Sequence, residues 1–206
     1  MAQENKKLRL FRSIVRRRYQ RISIDPANVN YIQYPEFRDS HRILVRPRTR
    51  QLAGDWDQTI DHEVFWCSIY EPAPGGIAGM VPMHSYVFYQ SLEAHFNDGE
   101  PWQVTSWYRW MIAQQQNNPV RRYRNEEEVA ERLVFLDGLY ADFKSGLYRD
   151  DPVDRPIINI GREGKMAVED GRHRLCVARV AGLREFQVGV NVVHADVPLS
   201  CIQADP

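Results

Sequence analysis

The feature that most narrows the fold is the order of elements written into the last eighty residues. Val129, Leu133, Leu136, Tyr140 and Phe143 fall at alternating spacings of four and three, the stripe of an amphipathic helix. Asn125 stands where that helix needs an N-cap, Glu128 occupies the capping-box position, and Gly146 ends the run. Pro156-Ile157-Ile158-Asn159-Ile160 reads as a strand, Gly161 to Gly164 as a tight turn, and Lys165 to Val168 as a returning strand. Arg172 to Ala181 reads as a helix closed by Gly182, and Gln187 to Val193 as a last strand with alternating valines. Helix, strand, turn, strand, helix, strand implies a compact layer of mixed α/β (α+β) class.

Upstream the pattern is less regular. Leu8, Phe11, Val15, Tyr19 and Ile22 make a helical stripe over residues 6–22, and Lys6, Lys7, Arg9, Arg12, Arg16, Arg17 and Arg18 crowd its other sides. Residues 1–22 hold eight Lys/Arg against one Glu, a net of +7, and the chain as a whole is neutral, so the remainder carries −7. A basic amphipathic helix either docks on the body or meets a polyanion or membrane surface through residues 6–21. Ile22 to Pro26 and Arg42 to Pro47 read as short strands, Gly54-Asp55-Trp56-Asp57 as a turn, and residues 72–82 as a loop rich in glycine and proline. Residues 84–97 read as a helix with Tyr86, Tyr89, Leu92 and Phe96 on one face.

The expected organisation is a basic arm at 1–22, a core made of 23–59 and 125–206, and a helical, aromatic-rich insertion at 60–124. That insertion holds four of the five tryptophans together with His62, His84 and His95, which lack metal-ligand spacing. It reads either as a cap with its own small core or as a lid whose aromatics face an acceptor such as a sugar. No apolar run approaches the length of a membrane span, and no secretory signal is visible. Cys67, Cys176 and Cys201 show no paired spacing, which argues against a disulfide framework or a zinc site. The expected compartment is the cytoplasm.

The chemistry concentrates at Asp170-Gly171-Arg172-His173-Arg174, where a strand hands over to a helix. A helix start exposes unsatisfied N–H groups and the positive end of the dipole. Gly171 admits close backbone approach, and Arg172, His173 and Arg174 offer cationic donors within one turn. Together these predict a phosphate site. The competing reading is a charged helix start paired with Glu169, Asp170 and Glu185.

Segment 126–193 resembles the N-terminal domain of ParB proteins and the sulfiredoxin fold. The resemblance rests on the helix ending at Gly146-Leu147, the strand Pro156 to Ile160, the hairpin, Glu169 to Leu175, Ala178, and Ala181-Gly182-Leu183 before the closing strand. Ser23-Ile24-Asp25-Pro26 is similar to the family's opening strand and turn. In relatives the Gly-x-His-Arg loop and helix start hold the phosphates of ATP or CTP, which implies that role for Gly171, His173 and Arg174. Sulfiredoxin carries its catalytic cysteine where this chain has Arg172, so sulfinic acid reduction is not expected. The helix-turn-helix that follows the nucleotide domain in centromere-binding ParB proteins is not expected either. A third branch of the fold contains small-molecule kinases that pair such a loop with a carboxylate base.

Phosphoryl transfer needs phosphate clamps, Mg²⁺ and a base near the acceptor hydroxyl. Asp55, Asp57 and Glu169 are the candidate catalytic carboxylates, and Asp55 and Asp57 the candidate Mg²⁺ ligands. The alternative for the aspartates is a solvated turn that caps a helix. The leading expectation is a nucleotide-dependent phosphotransferase or nucleotide hydrolase using ATP or CTP with Mg²⁺, its acceptor a small molecule or glycan. The alternative is a non-catalytic ATP- or CTP-loaded switch that engages a partner, DNA or a membrane through the basic arm. A nuclease, a label often attached to this fold, has only Asp55 and Asp57 to support it.

Overall fold

The computed structural model describes residues 19–34, 49–64, 79–117, 125–151 and 154–198. Within them one mixed sheet is built from β1 (Gln20–Ile24), β2 (Tyr31–Tyr34), β3 (Arg50–Leu52), β4 (Gly79–Pro82), β5 (Ile157–Ile160), β6 (Met166–Asp170) and β7 (Phe186–His194). The helices are α1 (Val87–Phe96), α2 (Ser106–Asn117), α3 (Glu126–Ser145) and α4 (Arg172–Val180). The strand order is β1-β7-β5-β6-β2-β4, and β3 lies beside the C-terminal part of β7. β5 runs parallel to β7, and β6 parallel to β2. The class is therefore the mixed α/β one expected.

The C-terminal elements form where their local chemistry places them. The Asn125 carboxamide accepts the Glu128 N–H at 2.9 Å, and Gly146 closes α3 in the left-handed region at φ 70°. Val129, Leu133, Leu136, Leu139 and Phe143 are buried. Tyr140 sits on the rim of that face and stacks on Phe96 at 3.9 Å. Gly182, at φ 76°, ends α4.

Three upstream expectations are corrected. The helix read over 6–22 lies outside the described residues up to 18, and its last residues are strand. Gln20–Ile24 pairs antiparallel with β7, from Gln20↔Val190 to Ile24↔Phe186. Tyr19 and Ile22 fit a helical stripe, but a strand edge offered by β7 overrides that local pattern. The loop read over 72–82 lies outside the described residues up to 78, and Gly79–Pro82 is strand β4, paired with β2. Gly79 is in that strand because there is no room for a side chain: a Cβ would lie 2.5 Å from Ile60 and 2.7 Å from the Gln58 carbonyl oxygen. The strand read at 42–47 lies outside the described residues.

The third correction concerns the segment 60–124. It supplies β4 to the sheet, so it is not a separate cap. Phe88 and Leu92 of α1 and Trp107 and Met111 of α2 share one apolar cluster with Leu136, Leu175, Ile158 and Val168. Trp102 donates its indole N–H to Asp137 of α3 at 2.9 Å, and His95 stacks on Trp102 at 4.1 Å. The aromatics thus fill the common core rather than a core of their own. Cys176 is fully buried in it, and burial pushes its thiol up to about 12, which leaves it unreactive at neutral pH.

Strand alternation divides the sheet into two unlike faces. Ile32, Tyr34, Val81, Ile158, Val168, Val188 and Val190 join the helices in the main core. The other face carries a small apolar cluster of Trp56, Met80, Ala167 and Val192. Beside it lie polar residues that are equally buried: Gln33, Asp57, Asn159, Glu169, Asn191 and His194. No described helix is long and apolar enough to cross a membrane.

Candidate functional site

The strand-to-helix junction read from the sequence exists as such. β6 ends at Asp170, whose carboxylate accepts the Gly171 N–H at 2.7 Å, and α4 begins at Arg172. Gly171 adopts φ 73°, ψ 23°, a left-handed conformation that favours glycine. A Cβ there would lie 2.8 Å from Pro156 Cα. The close approach that glycine permits at this point is therefore made by the protein's own chain.

The three cationic side chains leave the junction in different directions. Arg172 is buried and donates from Nη2 to the Gln33 carbonyl at 2.9 Å, reaching across to β2. His173 turns into the helical layer, edge-on to Phe88 at 4.4 Å, with Arg132 Nη2 2.6 Å from its Nδ1. A guanidinium only donates, so Nδ1 accepts and the imidazole is the neutral tautomer protonated at Nε2. Arg174 pairs with the Asp154 carboxylate at 3.1 Å and also donates to the Asp154 carbonyl. These three groups do not converge on a single point as drawn from the sequence. What remains common to the junction is the helix start itself, with its backbone N–H groups and dipole. Arg174, on a half-exposed pair, is the cation placed to exchange partners.

Asp55 and Asp57 meet on Arg162, at the turn between β5 and β6. Asp57 is 2% exposed and accepts the Arg162 backbone N–H at 2.6 Å, Nε at 3.1 Å and Nη2 at 2.6 Å. Asp55 is exposed and accepts Nη2 at 3.0 Å. Burial works against ionisation of Asp57, but the hydrogen bonds and charge of Arg162 outweigh it and hold the carboxyl below its ordinary value. Gly161 makes the contact possible, because a Cβ there would lie 2.7 Å from Asp57 Cβ. The Nε2–H of His194 donates to the Gly54 carbonyl at 2.9 Å, and Gln33 Nε2 reaches the Trp56 carbonyl at 3.4 Å. Gly54-Asp55-Trp56-Asp57 is thus a strap fastened across the polar face of the sheet. Among the described residues no group of three or more His, Cys, Asp or Glu is placed to hold a metal ion.

Glu169 stands apart from these. Its neighbours on β5 pair out of step: Ile157 opposes Asp170 and Ile158 opposes Val168, so Glu169 is the extra residue of a β-bulge. On the other edge of β5, Ile158 opposes Val190 and Asn159 opposes Val192, so Asn191 is the extra residue of a second bulge. The two bulged residues, two strands apart, meet over β5. Asn191 Nδ2 donates to Glu169 Oε2 at 2.6 Å, and each residue is at most 2% exposed.

An amide ladder continues from this pair. The N–H of Val192 donates to Asn159 Oδ1 at 3.2 Å, and Asn159 Nδ2 donates to Gln33 Oε1 at 3.2 Å. Gln33 Nε2 ends the chain on the Gly79 carbonyl at 2.9 Å. The Asn159–Gln33 bond spans β6, and the β6 residue in register with Asn159 is Ala167, whose side chain is a single methyl. Bulges commonly re-aim side chains beside functional sites, and buried polar networks are costly unless fully paired.

Glu169 was singled out from the sequence, whereas Asn191, Asn159 and Gln33 were not. Their signal is a carboxamide inside an apolar strand, as in Ile157-Ile158-Asn159-Ile160 and Val190-Asn191-Val192. The chain matches no family model, no curated protein and no solved structure.

Proposed function

We propose that this chain is a nucleotide-dependent enzyme of phosphoryl chemistry, a phosphotransferase or nucleotide hydrolase of the ParB/sulfiredoxin type. Its site is the β6–α4 junction. The observation that carries this reading is the buried carboxylate of Glu169, held by Asn191 at 2.6 Å and one residue from the exposed Asp170 at the end of the strand. Buried ionisable groups cluster at functional sites, and this one lies two residues before the N-terminal cap of a helix start suited to a phosphate.

The geometry supports the following division of labour. The N–H groups opening α4 and the Arg174 guanidinium bind the polyphosphate of ATP or CTP. Glu169 is enclosed; once ligand binding opens a path to it, it takes the proton from the attacking hydroxyl of a small-molecule or glycan acceptor, or from water. The hydroxyl oxygen bonds to the terminal phosphorus, the bond to the bridging oxygen breaks, and the nucleoside diphosphate leaves. Arg172 and His173 support the junction from within and are not clamps. Asp55 and Asp57 do not fit a Mg²⁺ site as they stand, since both are engaged by Arg162, and no step is assigned to a metal held there.

The test is a melting screen with ATP, CTP and GTP, each supplied with Mg²⁺, followed by turnover of any nucleotide that binds. A ligand at one hundred times its Kd stabilises by about 2.7 kcal/mol. Arg174→Ala is expected to remove that shift, and Glu169→Gln to retain it while abolishing turnover. If no nucleotide raises the melting temperature, the reading fails. Binding without turnover in the parent chain selects the switch instead, whose partner-binding element is the basic arm, residues 6–21.

A further inference from the structure

The polar face of the sheet contains one residue with a single visible task. Asn191 is almost wholly enclosed, and its carboxamide donates to a carboxylate across an intervening strand. In a regular β7 the residue after Val190 would face its partner on β5. The bulge removes it from that pairing, and the Val192 N–H at the bulge is taken up by the Asn159 side chain. Asn159 is itself fixed from β2 through Gln33. The β7 bulge is therefore braced by two further carboxamides, and what it presents is Asn191. On the facing edge the β6 bulge presents Glu169.

We infer that Asn191 is a positioning residue: its amide sets both the direction and the ionisation of Glu169, through a pair of bulges that exist to bring the two together. The assignment of Glu169 as general base rests on the function proposed above; the hold of Asn191 on Glu169 does not. A hydrogen bond donated to a carboxylate favours its charged form, and a buried carboxylate that loses a donor shifts toward the acid. A proton on Glu169 blocks its action as a base. A carboxylate turned by an ångström also loses rate, because alignment with the attacking hydroxyl is lost.

The experiment uses the full chain with its glutamate side-chain carboxyl carbons labelled with ¹³C, Glu169 being assigned by its loss in Glu169→Gln. Its titration midpoint is measured in the parent chain, in Asn191→Ala, and in the nearly isosteric Asn191→Asp, which cannot donate when ionised. The ionisable groups of the flanking elements are common to all three chains. Among the described residues they include Asp170 on the same strand, Arg172, His173 and Arg174 on α4, His194 on β7, and Asp57 with Arg162 at the strap. A difference in midpoint is therefore due to residue 191. The midpoint is expected to rise by about one unit or more in Asn191→Ala and further in Asn191→Asp, where two carboxylates compete for one proton.

In the same chains, the nucleotide Kd is expected to hold within about twofold while kcat falls by about 100-fold. Should Asn191→Ala misfold, Asn191→Asp, which keeps the side-chain volume, supplies the measurement. A midpoint unchanged in the folded variant overturns the inference, whatever the turnover. A midpoint that moves in a chain whose parent turns over no nucleotide removes the proposed function and leaves the hold of Asn191 on Glu169 in place.

Discussion

The two faces of the sheet solve the problem of burial in opposite ways. The helix-covered face is sealed by volume: Phe88, Leu92, Trp107, Leu136, Leu175 and Ile158 share one apolar cluster. The other face is sealed by pairing. Gln33, Asn159, Glu169 and Asn191 are as inaccessible as the valines opposite, and they are stable there because partners are built in. A face of the first kind tolerates exchange of one apolar shape for another, whereas a face of the second kind depends on particular donors and acceptors. The first kind maintains the fold. The second holds the carboxylate proposed above as the base.

The comparison can be broken most severely from the apolar side. Trp107→Ala removes a fully buried indole and is expected to cost about 3–5 kcal/mol, read as a shift in the denaturation midpoint. A loss below about 1 kcal/mol would mean that α2 is not part of the common core.

On the polar face, Asp57→Ala deletes the acceptor that holds Arg162 and is expected to cost about 2 kcal/mol near neutral pH. The folded carboxyl titrates below its ordinary value of 3.8. Its contribution is thus complete above that value and is lost as the pH falls through the folded value. The gap between parent and variant should narrow in acid. A gap that is constant from pH 7 to pH 3 shows that the ion pair is not its source.

Ala167→Val tests the amide ladder by placing branches where Asn159 reaches Gln33. The expected cost is about 1–2 kcal/mol, with movement of the side-chain amide NMR signals of both residues. Unmoved signals would show that the bond passes clear of β6. The smallest change belongs to Arg174→Ala. Its Asp154 pair is half-exposed, so apo stability should change by less than about 1 kcal/mol. A larger loss assigns the guanidinium to the fold rather than to a ligand.

The C-terminal half of the fold was legible because its boundaries are local: an asparagine cap, Gly146 and Gly182 beyond helix ends, and a glycine-bounded hairpin turn. β4 was not legible, since Gly79 and Pro82 read as breakers until Ile60 and Gln58 are seen to occupy the place of a Cβ. β1 was legible in part: Ile22 to Ile24 lie in the strand read from Ile22 to Pro26, whereas Gln20 and Arg21 were hidden because Tyr19 and Ile22 satisfy helical spacing and the partner strand β7 lies more than 160 residues away in the chain. At the candidate site, the sequence located the strand-to-helix junction, and it named Glu169 and Asp57 as candidates, both of which are buried on the polar face. Charge alone could not reveal that Arg172, His173 and Arg174 diverge. The bulges were invisible for a deeper reason. The valines at 190 and 192 suggest one face, yet Val190 lies in the main core and Val192 in the small cluster opposite. Only the pairing partner shows that a residue has been inserted between them.

That insertion makes fold and chemistry separable by the loss of one codon. A β7 lacking Asn191 would return to plain alternation, with Val190, Val192 and Val193 each still turned toward the side it now occupies. The sheet would keep its architecture while Glu169 lost the amide of Asn191. Deleting a single amino acid would thus leave a chain that shares this shape while lacking the amide that we infer directs Glu169.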